Sequence, residues 1–461
     1  MATATGGRLV AGDPRQPVTR LSIDTRSLLA GDFFVAIRGE RFDGHNFVAD
    51  ALAHGARGLV IDKGWGQTAA ARDISPEIAI LEVEDTTMAL QSVARDVRRR
   101  SGAQVVAITG SAGKTTTKEI TADFLSSRYR VFRNKGNLNN HIGLPLSLLE
   151  LRSRPEVAVV ELGMNHPGEI RTLVGVAEPE VRVWTNVGDA HLGFFESADA
   201  IADAKAEILE QARPGDVLVA NADDPRVMSR AHAFAGRVIT FGTDASADVH
   251  ASRVALRGLD GTTALVRTPA GEIQVETPLL GLGNLSNVLA AIAVASHYGV
   301  PVEDIAQRAA RLKPAYHRGE LLRLPGGITL IDDSYNSSPA ALKRALETIA
   351  SATGSARKTA VLGEMLELGA HATRLHEECG RAAAAAGLDL LVTVGGAPSG
   401  AMAQAAVSKG MAASAVVHVP SKEAAADIAL QRIRPGDLVL VKGSRGIGTD
   451  MVVDRLKAEF A

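Results

Sequence analysis

The strongest chemical signal in the sequence is VVAITGSAGKTTTKEI, in which an apolar strand passes through a glycine-containing loop into a helix. Gly110 and Gly113 have no side chain, so backbone amides can approach phosphate oxygens, and the helix N-terminus adds a partial positive charge. Lys114 can reach the terminal phosphates, and Thr115 can offer its hydroxyl to Mg²⁺. We therefore predict a nucleoside triphosphate site in a phosphate loop formed by Thr109, Gly110, Ser111, Ala112, Gly113, Lys114, Thr115 and Thr116.

This loop is a shortened form of the Walker pattern, because Ile108 stands where the full pattern has its first glycine. A strand-to-helix turn that binds nothing is the alternative. Kinases, switches and motors also bind nucleoside triphosphates through such loops. The loop alone therefore does not identify the reaction that the protein catalyses.

Residues after the next strands could hold metal ions beside the phosphate loop. Glu161 ends the buried strand VAVVEL, where a carboxylate suits Mg²⁺, although an N-cap or surface role is the alternative. His191 follows a further strand, in TNVGDAHLGFF, where its imidazole could ligate a second cation, although a lone loop histidine is usually structural. Lys205 lies in the helical stretch ADAKAEIL and by default would be a solvated helix lysine.

The elements that position these residues alternate between buried strands and helices. Apolar runs of strand length, among them VVAIT at 105–109, VAVVEL at 157–162 and DLVLVKG at 437–443, are separated by segments of helix length. This alternation predicts an α/β fold with parallel sheets covered by helices. Between 236 and 280, glycines punctuate β-prone stretches, which predicts an antiparallel appendage.

The length of 461 residues exceeds one ordinary core, and roughly 150 residues per domain gives about three domains. The first part of the chain has short strands and a helix that ends in RDVRRRSG, which places a boundary near Ser101. The segment RLKPAYHRGELLRLPGG suits a linker followed by a hairpin. We therefore predict domains at 1–101, 102–313 and 314–461.

Composition argues against several classes of partner. Lys and Arg number 50 against 52 for Asp and Glu, so no overall field favours nucleic acid or an anionic membrane. No signal-like or membrane-spanning apolar run is present, and we expect no membrane insertion. The single cysteine, Cys379, excludes an internal disulfide and is expected to be a helix residue without a catalytic role. We expect a cytoplasmic protein, and we expect it to be a monomer.

The order TGSAGKTT, VVELGMN, NVGDAHLGF, AKAEIL, NADDP, GNLSN and IDDSYNSSP resembles the Mur ligase superfamily from end to end. The resemblance implies a small N-terminal α/β domain for a UDP-linked substrate and a central parallel-sheet ATPase domain that carries the phosphate loop and the appendage. A Rossmann-like α/β domain would follow at the C-terminus. It also implies an ATP-dependent ligase of peptidoglycan synthesis that forms a C–N bond through an acyl phosphate.

Within that superfamily, the stretches IDDSYNSSPAAL, VLGEMLELGAHATRLHEECGR and VLVKGSRG resemble members that add D-alanyl-D-alanine to UDP-N-acetylmuramoyl-tripeptide. Members that add a single amino acid to a UDP-muramoyl peptide are the alternative. A regulator or kinase that merely shares the phosphate loop is a rival from another class, and it would need no UDP-sugar domain.

The resemblance also implies roles for particular residues. Lys205 would be carbamylated by CO₂ and would help to hold one of two Mg²⁺ ions, and the predicted catalytic residues are Lys114, Lys205 and His191. The predicted metal ligands are Thr115, Glu161, His191 and Lys205.

Nucleotide contacts beyond the phosphate loop are predicted at Asn287, which matches the asparagine that contacts adenine, and at Arg318 and Asp333. Capping of a helix by Asn284 or Ser286 is the alternative for the segment around Asn287. The family commonly has histidine where this chain has glycine at 283, which would remove any stacking on adenine by that side chain. The order YHRGE at 316–320 also departs from relatives, so the assignment of Arg318 requires a local shift.

Substrate contacts are predicted in three segments. The N-terminal stretch SIDTRSLLAGDFFVAIRGERFDGHNFVADALAHGA resembles the UDP-sugar-peptide domain of the superfamily, the loop NKGNLNNHIG offers amides, and the IDDSYNSSP stretch opens the C-terminal domain. Turn formation is the alternative for the last two segments. The residues are Asp24, Thr25, Arg26, Asp43, Gly44, His45, Asn137, Asn139, Asn140, Tyr335 and Asn336.

Overall fold

A computed structural model of the chain describes residues 1–39, 41–65, 74–189 and 192–460. It confirms the predicted α/β class, with three β-sheets. The described part of the chain contains no helix long and apolar enough to cross a membrane.

The chain divides into two compact units, each of which combines separate segments. The predicted domain limits are not tested by this division and stay predictions. The first unit comprises Met1–Val105, Phe132–Gly163 and Glu169–Pro179, and the second comprises Val106–Val131, Met164–Gly168 and the chain from Glu180 onward.

The strands are numbered in chain order. They are β1 Arg8–Ala11, β2 Leu21–Ser22, β3 Phe33–Val35, β4 Gly58–Asp62, β5 Ala79–Val83, β6 Gln104–Thr109, β7 Val131–Arg133, β8 Val157–Glu161, β9 Val181–Trp184, β10 Val217–Asn221, β11 Arg237–Gly242, β12 Val249–Leu256, β13 Thr262–Thr268, β14 Gly271–Thr277, β15 Glu320–Leu324, β16 Ile328–Asp333, β17 Arg357–Gly363, β18 Leu390–Val394, β19 Val416–Val419 and β20 Asp437–Lys442.

The α-helices are numbered in the same way. They are α1 Ala2–Thr5, α2 Val48–Ala53, α3 Thr86–Ser101, α4 Lys114–Leu125, α5 Gly143–Leu148, α6 Glu169–Ala177, α7 Ala198–Ala206, α8 Pro225–Ala231, α9 Gly281–His297, α10 Val302–Ala309, α11 Pro339–Ser351, α12 Ala372–Ala385, α13 Ala397–Ser408, α14 Lys422–Arg432 and α15 Asp450–Glu459.

The first unit contains a five-stranded sheet in the order β1-β5-β4-β3-β2. Strands β2 to β5 pair in parallel, and β1 adds an antiparallel edge. Helix α3 begins where the Asp85 carboxylate accepts a hydrogen bond from the Met88 amide at 2.7 Å. It ends before Gly102, which has a φ of 72° that suits a helix terminus.

The second unit carries the strands from β14 to β6 in the order β14-β13-β12-β11-β10-β9-β6. Strands β6, β9, β10 and β11 are parallel neighbours, so their carboxyl ends lie at one edge. The predicted antiparallel appendage was placed too early in the chain, because β11 pairs in parallel with both β10 and β12. Within this sheet, the described antiparallel pairs are β12 with β13 and β13 with β14.

A six-stranded sheet in the order β15-β16-β20-β17-β18-β19 completes the second unit. Strands β15 and β16 form the predicted hairpin. Each pair of neighbours in the rest of the sheet, in the order β16, β20, β17, β18 and β19, is parallel. Cys379 lies in the core against this sheet, where burial raises the pKa of its thiol to about 12. We call the segment from β15 to α15 the C-terminal lobe.

An ion-pair cluster in the first unit joins α3 to the residue after α6. The carboxylate of Glu178 accepts hydrogen bonds from Arg99 and from Arg95, each at 2.8 Å. These guanidinium groups hold the pKa of Glu178 at about 2, against an ordinary value of 4.5, and the hydrogen bond from Arg99 has the largest effect. Because the pKa is lower in the folded state, the pair stabilises the fold above pH 4.5 and loses this effect as the pH falls toward 2.

We predict that Glu178→Gln lowers the free energy of unfolding at pH 7 by about 1–2 kcal/mol, a value reduced for the solvent exposure of both arginines. Urea unfolding of the variant and the natural chain between pH 7 and pH 3 measures the difference. The difference should shrink below about pH 4.5. A difference that stays constant over this range would contradict the proposed electrostatic origin.

Candidate active site

The phosphate loop lies between the buried strand β6 and helix α4, as predicted. Gly110 and Gly113 have φ angles of 151° and 83°, and each approaches a neighbouring side chain closely. A Cβ atom on Gly110 would lie 1.9 Å from the Thr185 hydroxyl, and one on Gly113 would lie 2.1 Å from Oδ1 of Asn287. Only glycine fits at either position, because both the backbone angle and the available space exclude a side chain.

The segment after β9 holds the phosphate loop in shape. The amides of Ser111 and Ala112 donate to the backbone oxygen and Oδ1 of Asn186 at 3.0 and 2.9 Å. The Thr185 hydroxyl donates to the Ala112 carbonyl at 2.7 Å, and the Gly188 amide donates to the Ser111 hydroxyl at 2.9 Å. This parallel neighbour therefore fixes the path of the loop.

The predicted residues Thr109, Lys114, Thr115 and Thr116 lie in the phosphate loop or in the first turn of the helix that follows it. The Lys114 ammonium donates to the Gly110 carbonyl at 2.9 Å, so it lies over the loop. Thr109 is buried and its carbonyl accepts from the Thr185 amide, while Thr115 and Thr116 lie in the first turn of α4. A helix N-terminus at this place favours a bound anion.

Asn287 is 8% exposed and contacts the helix that follows the phosphate loop. Its Oδ1 accepts a hydrogen bond from the Thr117 hydroxyl at 3.2 Å, and its Nδ2 donates to Asn284 at 3.3 Å. The alternative in which Asn284 or Ser286 caps a helix is wrong, because α9 begins at Gly281 with no side-chain cap.

The neighbourhood of Gly283 was not predicted from the sequence. A Cβ atom there would contact the Arg344 side chain at 3.4 Å. An arginine of α11 therefore approaches Gly283.

Glu161 and the predicted asparagines lie in the first unit. Glu161 is 3% exposed, and its carboxylate accepts from Asn139 Nδ2 at 2.8 Å, so the surface alternative is wrong. Oδ1 of Asn140 accepts from the Gly143 amide at 2.8 Å, which is a turn contact. Asn137 is exposed, and its carbonyl accepts from the Asn139 amide at 2.8 Å.

Lys205 is 1% exposed in helix α7, so the default interpretation as a solvated helix lysine is wrong. His191 lies outside the described residues. Among the residues that are described, no three or more His, Cys, Asp or Glu side chains form a group that could hold a metal ion. The assembly of Thr115, Glu161, His191 and Lys205 into a metal site therefore stays a prediction.

The N-terminal candidates form two local clusters. Asp24 pairs with Arg26 at 2.6 Å, and hydrogen bonds from Arg26 lower the pKa of the Asp24 carboxyl to about 2, while Thr25 lies between them in the chain. His45 Nδ1 contacts Asp43 at 2.6 Å, and its Nε2 accepts from the Asp62 amide at 3.0 Å. Both ring nitrogens of this 5% exposed histidine are therefore engaged within the unit.

Gly44 follows Asp43, and a Cβ atom there would lie 2.7 Å from the Ile37 amide nitrogen. The backbone is therefore tightly packed at this point. The substrate roles of these N-terminal residues stay predictions.

Several predicted residues meet at the start of the C-terminal lobe. The Arg318 guanidinium carbon lies 4.2 Å from the centre of the Tyr335 ring. Asp333 forms an ion pair with the buried Lys442 at 2.6 Å, and Lys442 also donates to the Asn336 carbonyl at 3.1 Å. These contacts place Arg318 against an aromatic ring and pair the buried Lys442 with Asp333.

Two functional groups near these sites were missed by sequence reasoning. Arg445 donates to the Tyr335 hydroxyl at 3.3 Å, and Asn186 holds two amides of the phosphate loop. The signal for Asn186 was available, because polar residues that directly follow a buried strand lie at the sheet edge with the phosphate loop. Arg445 lies in the VLVKGSRG stretch, but the spacing did not indicate its contact with Tyr335.

Comparison with known families gives consistent matches along the chain. The model of the Mur ligase middle domain matches residues 108–295, and that of the Mur ligase glutamate ligase domain matches residues 317–445. The model of the Mur ligase family catalytic domain matches residues 17–98.

Individual relatives agree over nearly the whole chain. This chain is 37% identical to the UDP-N-acetylmuramoyl-tripeptide–D-alanyl-D-alanine ligase of Synechocystis sp., over 96% of this chain and 92% of that one. It is 34% identical to the Bacillus subtilis ligase of the same name, over 95% of this chain and 92% of that one.

Solved structures agree with these relatives. The crystal structure of MurF from Acinetobacter baumannii superposes with a TM-score of 0.88 at 32% identity, covering 99% of this chain and 97% of that one. The structure of MurF ligase from Thermotoga maritima in complex with ADP superposes with a TM-score of 0.82 at 29% identity, covering 96% of this chain and 97% of that one. The chain therefore belongs to the Mur ligase family of ATP-dependent amide ligases.

Proposed function

We propose that this chain joins D-alanyl-D-alanine to the terminal carboxylate of UDP-N-acetylmuramoyl-tripeptide, giving UDP-muramoyl-pentapeptide, ADP and phosphate for peptidoglycan synthesis. The observation that carries the proposal is agreement over at least 95% of the chain with ligases of this name. The phosphate loop with Lys114 over it, and the guanidinium group of Arg318 on the ring of Tyr335, suit the anionic substrates of this reaction.

In the first step, an oxygen of the tripeptide carboxylate forms a bond to the γ-phosphorus of ATP, and the bond to the bridging oxygen breaks as ADP leaves. In the second step, the dipeptide amine forms a bond to the acyl carbon and loses a proton, and inorganic phosphate leaves. Both partners in the first step are anions. Lys114 would therefore offset their repulsion and stabilise charge on the transferring phosphoryl group.

Two Mg²⁺ ions are proposed to bind through Thr115, Glu161, His191 and a carbamylated Lys205. When bound, they would neutralise charge on the transferring phosphoryl group. A hydroxyl and a buried carboxylate are oxygen ligands of the kind that Mg²⁺ prefers. Carbamylation of Lys205 is supported by the match to the Mur ligase family models, and it would replace the cation of this buried side chain with an anion suited to a metal.

Carbamylation can be tested with Lys205→Arg, which keeps the positive charge and cannot form a stable carbamate. The natural chain should give a carbamate signal in ¹³C NMR with labelled bicarbonate, and the variant should lack it and have a lower kcat. A variant with the kcat of the natural chain would exclude a role for the carbamate.

Three domains at 1–101, 102–313 and 314–461 are also proposed. The ranges matched by the family models, 17–98, 108–295 and 317–445, lie one in each and support this division. We also propose that the protein is cytoplasmic, because ATP is a cytoplasmic substrate. We further propose that it is a monomer. Elution in size-exclusion chromatography at the mass of a dimer, rather than near 48.2 kDa, would contradict the monomer.

The product identifies the reaction most directly. Incubation with ATP, Mg²⁺, UDP-muramoyl-tripeptide and D-alanyl-D-alanine should give a UDP-linked product heavier by one dipeptide less one water, seen by mass spectrometry. A mass increase of one amino acid on a UDP-muramoyl-dipeptide would instead identify a member that adds single residues.

A further inference from the structure

We propose that Asn221 and Asp224, in the NADDP segment at the end of β10, are positioning residues that keep the phosphate loop in the shape that binds nucleotide. They act through Asn186, which hydrogen-bonds to the phosphate loop. This inference rests on the proposed function only where ligation rates are measured. The contacts that carry it lie within the second unit.

Asn186 is bound to the phosphate loop through its main chain and its side chain. The amides of Ser111 and Ala112 donate to its main-chain oxygen and to its Oδ1, as described above. Its Nδ2 also donates to the Ala112 carbonyl at 3.1 Å. A shift or rotation of Asn186 would therefore change the path of the phosphate loop.

The NADDP segment holds the chain on both sides of Asn186. The Nδ2 of Asn221 donates to the Thr185 carbonyl at 2.7 Å, and the Asp224 carboxylate accepts from the Val187 amide at 2.7 Å. The Thr185 carbonyl belongs to the peptide group before Asn186, and the Val187 amide belongs to the one after it. Both planar peptide groups that flank this residue are therefore restrained.

One peptide group carries the restraint from Asp224 directly to the phosphate loop. The Val187 N–H and the Asn186 carbonyl are parts of the same planar group. The N–H donates to the Asp224 carboxylate, and the oxygen accepts from the Ser111 amide at 3.0 Å. Asp224 therefore fixes the direction of this oxygen. A carboxylate acceptor on the N–H also polarises the carbonyl, which strengthens its bond to Ser111.

The NADDP segment is itself anchored and can serve as a fixed support. The second role of Asp224 is to cap α8, where its Oδ1 accepts from the amides of Arg226 and Val227 at 3.0 and 3.2 Å. The Ala222 amide donates to the Phe241 carbonyl at 2.8 Å, at the end of β11. The support for Asn186 therefore comes from a neighbouring strand and from a helix.

Asp224→Asn removes the bond to Val187 and keeps the helix cap. The asparagine oxygen can still accept from the first amides of α8, but its NH₂ group then faces the Val187 N–H, and two donors cannot bond. We expect the Kd for ADP, measured by titration calorimetry, to rise about tenfold, as for the loss of one hydrogen bond. The kcat/KM for ATP should fall by a similar factor, while the KM for the dipeptide stays unchanged.

Asp85→Asn is the matched control. Asp85 caps α3 in the first unit, where its carboxylate accepts from the Met88 amide at 2.7 Å. The change removes the same charge from a helix cap and leaves an acceptor for the capping bond. The Kd for ADP of this variant should match that of the natural chain.

Hydrogen exchange in the absence of nucleotide locates the cause of the weaker binding. In Asp224→Asn, amide exchange in the peptide that contains Ser111 and Ala112 should be about tenfold faster, because their acceptor Asn186 is held less firmly. Unchanged exchange in this peptide, an unchanged Kd for ADP, or equal changes in Asp85→Asn would overturn the proposal. Absence of ligation by the natural chain would count against the proposed function, and ADP binding with exchange would still decide the positioning role.

Asn221→Asp covers the case in which Asp224→Asn fails to fold. One oxygen of the new carboxylate can still accept from the Asp223 amide, as Asn221 Oδ1 does at 3.0 Å, but the other oxygen faces the Thr185 carbonyl without a proton to donate. A higher Kd for ADP together with faster exchange at Ser111 and Ala112 supports the proposal. Natural values of either quantity in this variant would overturn it.

Discussion

Replacement of Lys114 by methionine is expected to lower kcat about 10³-fold while the fold is retained. The ammonium group lies over the phosphate loop, 2.9 Å from the Gly110 carbonyl, where it can meet the terminal phosphates of ATP. Charge on these oxygens changes most in the transition state, so the loss should fall mainly on kcat rather than on the KM for ATP. Steady-state phosphate release with saturating substrates measures the effect.

Lys409→Met is a suitable control for this experiment. Lys409 is an exposed residue that follows α13, and its replacement removes the same charge from the chain without touching the phosphate loop. Melting temperatures of both variants should match that of the natural chain. A Lys114→Met enzyme with a kcat within about threefold of the natural value would contradict the role assigned to this residue.

Gly113→Ala is expected to reduce kcat/KM for ATP about 10²-fold, through displacement of Asn287 and distortion of the phosphate loop. The added Cβ would lie 2.1 Å from Oδ1 of Asn287, an atom that also accepts a hydrogen bond from Thr117. The displaced amide is buried, so it has little room to move. The variant should also lose stability, because alanine is strained at a φ of 83°.

Gly102→Ala separates the two causes of this loss. Gly102 has a φ of 72° and no atom within 4 Å of an added Cβ, so alanine there adds backbone strain without a collision. Both variants should melt at lower temperature, but only Gly113→Ala should lose kcat/KM. Equal activity of the two variants would show that the space at Gly113 does not matter for ATP.

The phosphate loop was predictable from the sequence because its geometry is local. The order of strand, glycines, lysine and helix lies within one short segment, and the structure places β6, the loop and α4 in that order. The hairpin of β15 and β16 was predictable for the same reason, since prolines and glycines mark its turn.

Residues whose environment is set by distant segments were harder to predict. Lys205 is buried by tertiary packing that the pattern of α7 does not encode, so its default interpretation as a solvated residue was wrong. The start of the antiparallel appendage was wrong because strand composition does not reveal the direction of pairing between β11 and its neighbours.

The contact between Gly193 and the C-terminal lobe had no signal in the sequence. Gly193 and Gly369 are ordinary loop glycines in the sequence, and only the fold shows that their backbones touch. The contact of Arg445 with Tyr335 likewise depends on the adjacency of β16 and β20, which lie far apart in the chain.

The central claim is tested most directly by phosphate release from ATP and Mg²⁺, with UDP-muramoyl-tripeptide and D-alanyl-D-alanine offered singly and together. Free D-alanine and L-amino acids serve as controls. We predict sustained release only when the tripeptide and the dipeptide are both present. Release that is indifferent to both compounds, or that needs a single amino acid on a UDP-muramoyl-dipeptide instead, would contradict the proposed reaction.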